Sequence, residues 1–309
     1  MKEKITKVLL TGSMRSGTTF LANYLNANKE CAFMRDSFVA IFRTSWRLGI
    51  KSFTELLPTR LRNIVLVGLK AETVLMGIDK LNHLQNTQFT TLEELFDVSM
   101  ELLIDDNTKV FGVKVTQTEY WFKTLLKETD IKVIYMIRDL RDILLSSANR
   151  FPDYDRVRYS NQWFKGVTEA LKNSDNSRLI FIKFEDLILY PEKTFKLLSA
   201  FLGVKLDTNI NEIKDVSEAV WTNNSAFHDV KKLFDPIAVN RWKNNFDSKE
   251  VEYGSAIYQK LMKTLGYEEN KIPFFKGLKI RIGHNWFFFR LGRKTIRNAK
   301  RLFRKVIST

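Results

Sequence analysis

Arg15, Ser16, Gly17, Thr18 and Thr19 stand in a row between an apolar run that ends at Gly12 and a helical pattern that begins near Thr18. A guanidinium, three hydroxyls and a glycine in that position are equipped to hold an anion. A helix N-terminus offers unpaired backbone N–H groups and the positive end of its dipole. Gly12 and Gly17 permit the tight turn and close approach that a phosphate or sulfate needs. A second concentration of charge, Arg138-Asp139-Leu140-Arg141-Asp142, follows the apolar run 132–137. Arg138 falls at a strand's carboxyl end, where a guanidinium can grip a phosphate through two parallel bonds. Ser146 lies eight residues beyond it and Arg150 four further, sharing one side of the next helix.

Against the nucleotide-binding pattern G-x-x-x-x-G-K-[ST], residues 12–19 fit at every fixed position except one, where Thr18 replaces the lysine. A Mg-ATP site is therefore a poor match, and a P-loop kinase or NTPase is the alternative enzyme. The string Arg15-Ser16-Gly17-Thr18-Thr19 resembles the 5′-phosphosulfate loop of sulfotransferases that use 3′-phosphoadenosine-5′-phosphosulfate (PAPS). That family's second signature is an arginine at a strand end and a serine eight residues later, which hold the donor's 3′-phosphate; Arg138 and Ser146 match it. The family's usual Arg-Asp-Pro-Arg-Asp carries Leu140 in place of proline here. Phe184-Glu185-Asp186-Leu187 with Tyr190-Pro191-Glu192, Ser225-Ala226-Phe227-His228, Arg241-Trp242-Lys243 and Gly266-Tyr267 are weaker resemblances. Phe184 lacks the hydroxyl often found at its place. Together these cover roughly residues 5 to 267, nearest in loop sequence to the tyrosylprotein and carbohydrate sulfotransferases.

The resemblance implies a site. Arg15, Ser16, Gly17, Thr18, Thr19, Arg138, Ser146, Arg150, Ser225 and Arg241 would bind the donor. Sulfuryl transfer needs an acceptor hydroxyl held in line, a base for its proton and cations facing the developing charge, with positioning and electrostatics carrying most of the work. Arg15, the loop amides and Lys114 are the candidate cations. A sulfuryl group carries less charge than a phosphoryl, so no metal is expected. Asp36 lies 21 residues after Arg15, matching the spacing of a glutamate in the tyrosylprotein branch. A carboxylate at the mouth of a basic pocket stays ionised and can accept the proton. His228 is the second candidate base.

These residues need a scaffold that brings separated strand ends together. Continuous apolar or β-branched runs at 8–12, 31–34, 109–115, 132–137 and 178–183 alternate with helical patterns at 117–127, 140–150, 158–172 and 191–202. That alternation predicts an α/β fold with a P-loop-NTPase-like central parallel sheet and helices on both faces. Ligands in such sheets sit beyond the strands' carboxyl ends. Thr90 and Glu93 have capping-box spacing at the head of another helix, and 42–88 is mostly helical in pattern.

Composition sets bounds. At 309 residues and 44% hydrophobic, the chain can bury a large core. One cysteine, Cys31, excludes a disulfide framework, and three scattered histidines argue against a histidine metal cluster. Of the 50 Lys and Arg, 12 lie from Asn270 onward with no acidic residue, leaving a net of +3 in the first 269 residues. We therefore expect a sulfotransferase domain at 1–269 and a basic, aromatic, helical extension at 270–309. From Trp286 the apolar positions recur at helical spacing among arginines and lysines, the pattern of a helix lying on an anionic membrane surface. Residues 63–78 are too polar to span a membrane, and Met1–Lys7 carries no leader pattern. The expectation is a cytoplasmic, peripheral-membrane enzyme acting on a glycan or glycolipid hydroxyl, without nucleic acid. A non-catalytic nucleotide-binding adaptor attached through the basic tail is the non-enzymatic alternative.

Overall fold

The computed structural model describes residues 4–35, 38–57, 89–207, 213 and 233–285. Five strands, β1 (Thr6–Gly12), β2 (Cys31–Arg35), β3 (Val110–Lys114), β4 (Lys132–Ile137) and β5 (Leu179–Lys183), form a sheet in the order β2-β3-β1-β4-β5. Every pair is parallel, so all five carboxyl ends share one edge. Strands covered on both faces lose the polar alternation of half-exposed ones; β3 is buried at every position and β4 at all but its first.

The described residues divide into two compact units, Met1–Arg138 with Gln162–Asn240 and Asp139–Asn161 with Arg241–Thr309. The first holds the sheet with α1 (Thr18–Asn26), α2 (Val39–Arg47), α3 (Leu92–Leu103), α4 (Phe122–Glu128), most of α6 (Arg156–Lys172), α7 (Phe184–Leu189) and α8 (Pro191–Leu202). Val8, Leu10, Ile134, Met136 and Ile182 face a core shared with Leu21, Leu25, Leu187, Phe195 and Leu198 of α1, α7 and α8. On the opposite face Phe96 of α3 meets Phe111, and Phe122 of α4 meets Tyr135, both edge-on. Each fully buried side chain of this size contributes about 1.5–3 kcal/mol. Trp121, fully buried, joins Phe42, Trp46 and Phe53 in an aromatic cluster that holds α2.

The second unit holds α5 (Leu140–Arg150), α9 (Lys249–Ala256), α10 (Gln259–Thr264) and a helix over 274–285, designated α11. Gly254 of α9 lets the helix press on α5: a Cβ there would stand 3.0 Å from Cγ of Arg141. Among the described residues, no helix is long and apolar enough to cross a membrane.

Two local expectations are corrected. The cap of α3 is Thr91, whose hydroxyl accepts from the Glu94 amide at 3.1 Å, while the Glu94 carboxylate reaches back to the Thr90 amide at 2.5 Å. The box is thus one residue later than Thr90–Glu93. Residues 117–127 do not form one helix. Gln117 takes a left-handed conformation at φ 61°, a 3-10 turn follows at Glu119–Trp121, and α4 begins only at Phe122. The short α7, directly after β5, had no distinct sequence signal. Residues 63–78 and the tail from Trp286 lie outside the described residues.

Candidate active site

The loop after β1 is built by its own short-range bonds. Ser16, fully buried, donates its hydroxyl to the Ser13 carbonyl at 2.6 Å, and its amide bonds to the same oxygen at 3.2 Å. Arg15 is left-handed at φ 66°, a costly state for a side-chain-bearing residue and one that concentrates at ligand sites. Gly17 follows at φ 92° and forms the N-cap of α1 with no side-chain cap. Gly17 thus brings no side chain to the first-turn amides of α1, the kind of backbone groups that engage an anion at a helix N-terminus. Thr18 is buried and Thr19 half-buried. The Ser16 hydroxyl thereby shapes the loop.

Arg138 leaves β4 and reaches this loop. Its Nη1 donates to the Arg15 carbonyl at 3.1 Å and its Nη2 to the Ala238 carbonyl at 2.7 Å. The guanidinium lies over the Phe184 ring at 4.2 Å, and Trp163 Nε1 fixes the Arg138 carbonyl at 3.0 Å. Phe184 also presses on the loop: a Cβ on Gly17 would stand 2.3 Å from its ring. Phe184 thus explains why position 17 is glycine, a contact the sequence did not reveal.

The segment after β3 closes a further side of the loop. The Gln117 amide bonds the Gly12 carbonyl at 3.2 Å, Thr118 donates to the Thr11 hydroxyl at 2.9 Å, and Gln117 Nε2 donates to Gln162 Oε1 at 2.9 Å. Lys114 is the last residue of β3, level with Leu10, and its side chain is buried rather than reaching solvent from the sheet rim. Glu119 is the titratable group that sequence reading missed. Burial raises its carboxyl to about 7, and it packs with the Tyr135 hydroxyl around the bare Cα of Gly166. Burial and the Glu119 charge together hold the Tyr135 phenol well above its ordinary range.

Ser146, Arg150 and Arg241 belong to the second unit. Ser146 is buried in α5, Arg150 is exposed at its last turn, and Arg241 is buried in the 3-10 turn Arg241–Asn244. The rest of the Arg-Asp-Leu-Arg-Asp run is structural. Asp139 caps α5 by accepting from the Arg141 amide at 2.8 Å, and its carboxylate takes Nε and Nη2 of Arg141 at 3.0 and 2.6 Å. Arg141 stacks on Trp242 at 3.4 Å, and Asp142 accepts from the Trp242 amide at 3.0 Å. Asp36, Ser225 and His228 lie outside the described residues.

In the first unit, then, the loop Arg15–Thr19 and Arg138 form one connected group at the carboxyl edge of the sheet, a strand-end position where parallel sheets bind ligands. A family profile described as "Sulfotransferase domain" matches residues 5–266. The sulfotransferase domain of the Synechococcus PCC 7002 olefin synthase is similar in structure at a TM-score of 0.60 and 16% identity, over 86% of this chain and 97% of that one. The sulfotransferase domain from the curacin biosynthetic pathway is similar at 0.59 and 15% identity, over 87% of this chain and 100% of that one. These likenesses establish the fold, and the profile establishes the kinship: the chain belongs to the sulfotransferase family.

Proposed function

We propose that the enzyme transfers the sulfuryl group of PAPS to an acceptor hydroxyl on a glycan or glycolipid. The observation that carries the donor assignment is the lysine-free loop with a left-handed Arg15 and Gly17, opening an uncapped helix and tied to Arg138. Arg15, Ser16, Gly17, Thr18 and Thr19 would hold the 5′-phosphosulfate through amides, hydroxyls and one guanidinium. Arg138, with Ser146 and Arg150, would take the 3′-phosphate, and Ser225 and Arg241 complete the donor set. In the reaction the acceptor oxygen forms the new S–O bond as the bond to the bridging phosphate oxygen breaks. The acceptor proton passes to Asp36, with His228 as the second candidate, and 3′-phosphoadenosine-5′-phosphate leaves. Lys114 and Arg15 face the charge that develops on the bridging oxygen, where fixed cations act most strongly.

The domain reading is 1–269 for catalysis and 270–309 for attachment. The excess of 12 basic over no acidic residues in the extension supports an acceptor made at an anionic surface, with the enzyme held peripherally on the cytoplasmic side. Calorimetry with 3′-phosphoadenosine-5′-phosphate, ATP and GTP tests the donor. Selective binding of the first is expected, and preference for ATP or GTP would return the kinase reading. A screen of glycan, glycolipid and tyrosyl-peptide acceptors with radiolabelled donor tests the acceptor. Label in peptides alone would overturn the glycan assignment.

A further inference from the structure

Helix α11 (274–285) is anchored along one face and exposes large apolar side chains along another. His284 is buried, with Nδ1 against the Tyr253 hydroxyl and Nε2 3.2 Å from the Tyr258 hydroxyl. Tyr258 donates to Asn161 Oδ1, so its oxygen can accept from His284 Nε2–H. Gly277 is buried on the same side, and Lys276 pairs with Glu252. On the adjoining face, Phe274 is 70% exposed, Phe275 82%, Leu278 40% and Ile282 59%.

At 3.6 residues per turn, those four apolar side chains fall within an arc of about 100°. Arg281 falls just outside one border of the arc and Lys279 outside the other, and Lys271 precedes the helix. Both cations are exposed. Four large apolar groups on one arc, bordered by cations, exceed the scattered exposed apolar residues of an ordinary surface. An apolar stripe between cationic flanks is the arrangement that inserts into the acyl boundary while its charges meet anionic headgroups. The absence of any acidic residue from 270 to 309 leaves nothing in that stretch of chain to repel such a surface.

We propose that α11 docks the enzyme on an anionic lipid surface through Phe274, Phe275, Leu278 and Ile282, with Lys279 and Arg281 on the headgroups. The proposal rests on the peripheral-membrane reading above and assigns the contact to this helix rather than to the sequence from Trp286 onward.

The test uses the full chain carrying Leu278→Cys labelled with an environment-sensitive dye. Cys31 does not compete, because burial pushes its thiol up to about 12. With phosphatidylserine-containing vesicles at low salt, cosedimentation and a blue shift of the dye are expected, and both should weaken at least tenfold with pure phosphatidylcholine or in Phe274→Ser/Phe275→Ser. Cosedimentation without a dye shift, unaffected by the double substitution, would overturn the role of α11 while sparing the membrane reading. No cosedimentation at all would overturn both. A dye shift without vesicles that scales with protein concentration, together with a dimer by light scattering, would make the face a contact between copies and overturn the lipid assignment.

Discussion

The Nη1 of Arg138 donates to the backbone carbonyl of Arg15 at 3.1 Å, so one guanidinium joins the carboxyl end of β4 to the loop after β1. Arg138 therefore has two effects to lose: a cation for a phosphate and a tether for the loop. Arg138→Ala should weaken adenosine 3′,5′-bisphosphate by roughly 10- to 150-fold, the worth of a charge-assisted hydrogen bond of about 1.5–3 kcal/mol. Adenosine 5′-phosphate should weaken by less than about tenfold, through the loosened loop alone. Titration calorimetry with both ligands checks this, and equal losses would remove Arg138 from the 3′-phosphate.

Gly17 meets two constraints at once, a φ of 92° and the Phe184 ring 2.3 Å from where a Cβ would stand. The left-handed state alone costs an L-residue roughly 1–2 kcal/mol. Gly17→Ala should lower thermal stability and donor affinity together. Adding Phe184→Leu should restore part of both by relieving the overlap, leaving the backbone strain. A fully recovered double variant would show that φ is immaterial there.

Asp36→Asn should reduce turnover by roughly 10²–10⁴-fold, the usual contribution of a general base, with donor affinity nearly unchanged because the base acts on the acceptor. Single-turnover rates beside donor titrations separate the two. Near-normal turnover would move the role to His228 or to the substrate.

Glu119 makes stability depend on pH. Its carboxyl sits near 7 in the fold against an ordinary 4.5, because burial disfavours the charge. The folded state keeps its proton over that interval, so the contribution is complete below 4.5 and is lost as pH rises through about 7. Urea midpoints should fall between pH 5 and pH 8 by more in the wild type than in Glu119→Gln. Parallel curves would disprove the assignment.

His284 works in the opposite direction. Burial lowers its pKa below the ordinary 6.5, so the unfolded state takes up the proton first and stability declines as pH falls below about 6.5. Amide exchange in 274–285 should quicken between pH 7 and pH 5 after correction for intrinsic rates. His284→Phe should remove that dependence; an unchanged slope would assign it elsewhere.

The strands were legible because fully covered parallel strands are written as unbroken apolar runs, and 132–137 became β4 without adjustment. The anion loop was legible because its function requires small residues and hydroxyls in one local stretch. What stayed hidden was tertiary. Nothing local says that Arg138 will bond the carbonyl of Ala238, one hundred residues away, or that Phe184 will lie on Gly17. Glu119 has no signal of its own within 117–127, because its surroundings come from Tyr135 and Gly166. Asp139, sequence-adjacent to one arginine, pairs with the other, Arg141, because helix geometry turns that side chain back over its own cap. The Thr90-Thr91-Leu92-Glu93-Glu94 string contains two boxes in tandem, and only the path of the chain chooses between them.

All-parallel pairing also determines how the enzyme would sit on a solid support. The turns entering β3, β4 and β5, at 105–108, 129–131 and 173–178, gather at the amino edge of the sheet, opposite the Arg15–Thr19 loop. Exposed Asp106 and Asp175 lie there. A linkage grafted at Asp175 would orient immobilised molecules with their anion loop toward the bulk solution, whereas coupling through random surface lysines would turn a fraction of them face down.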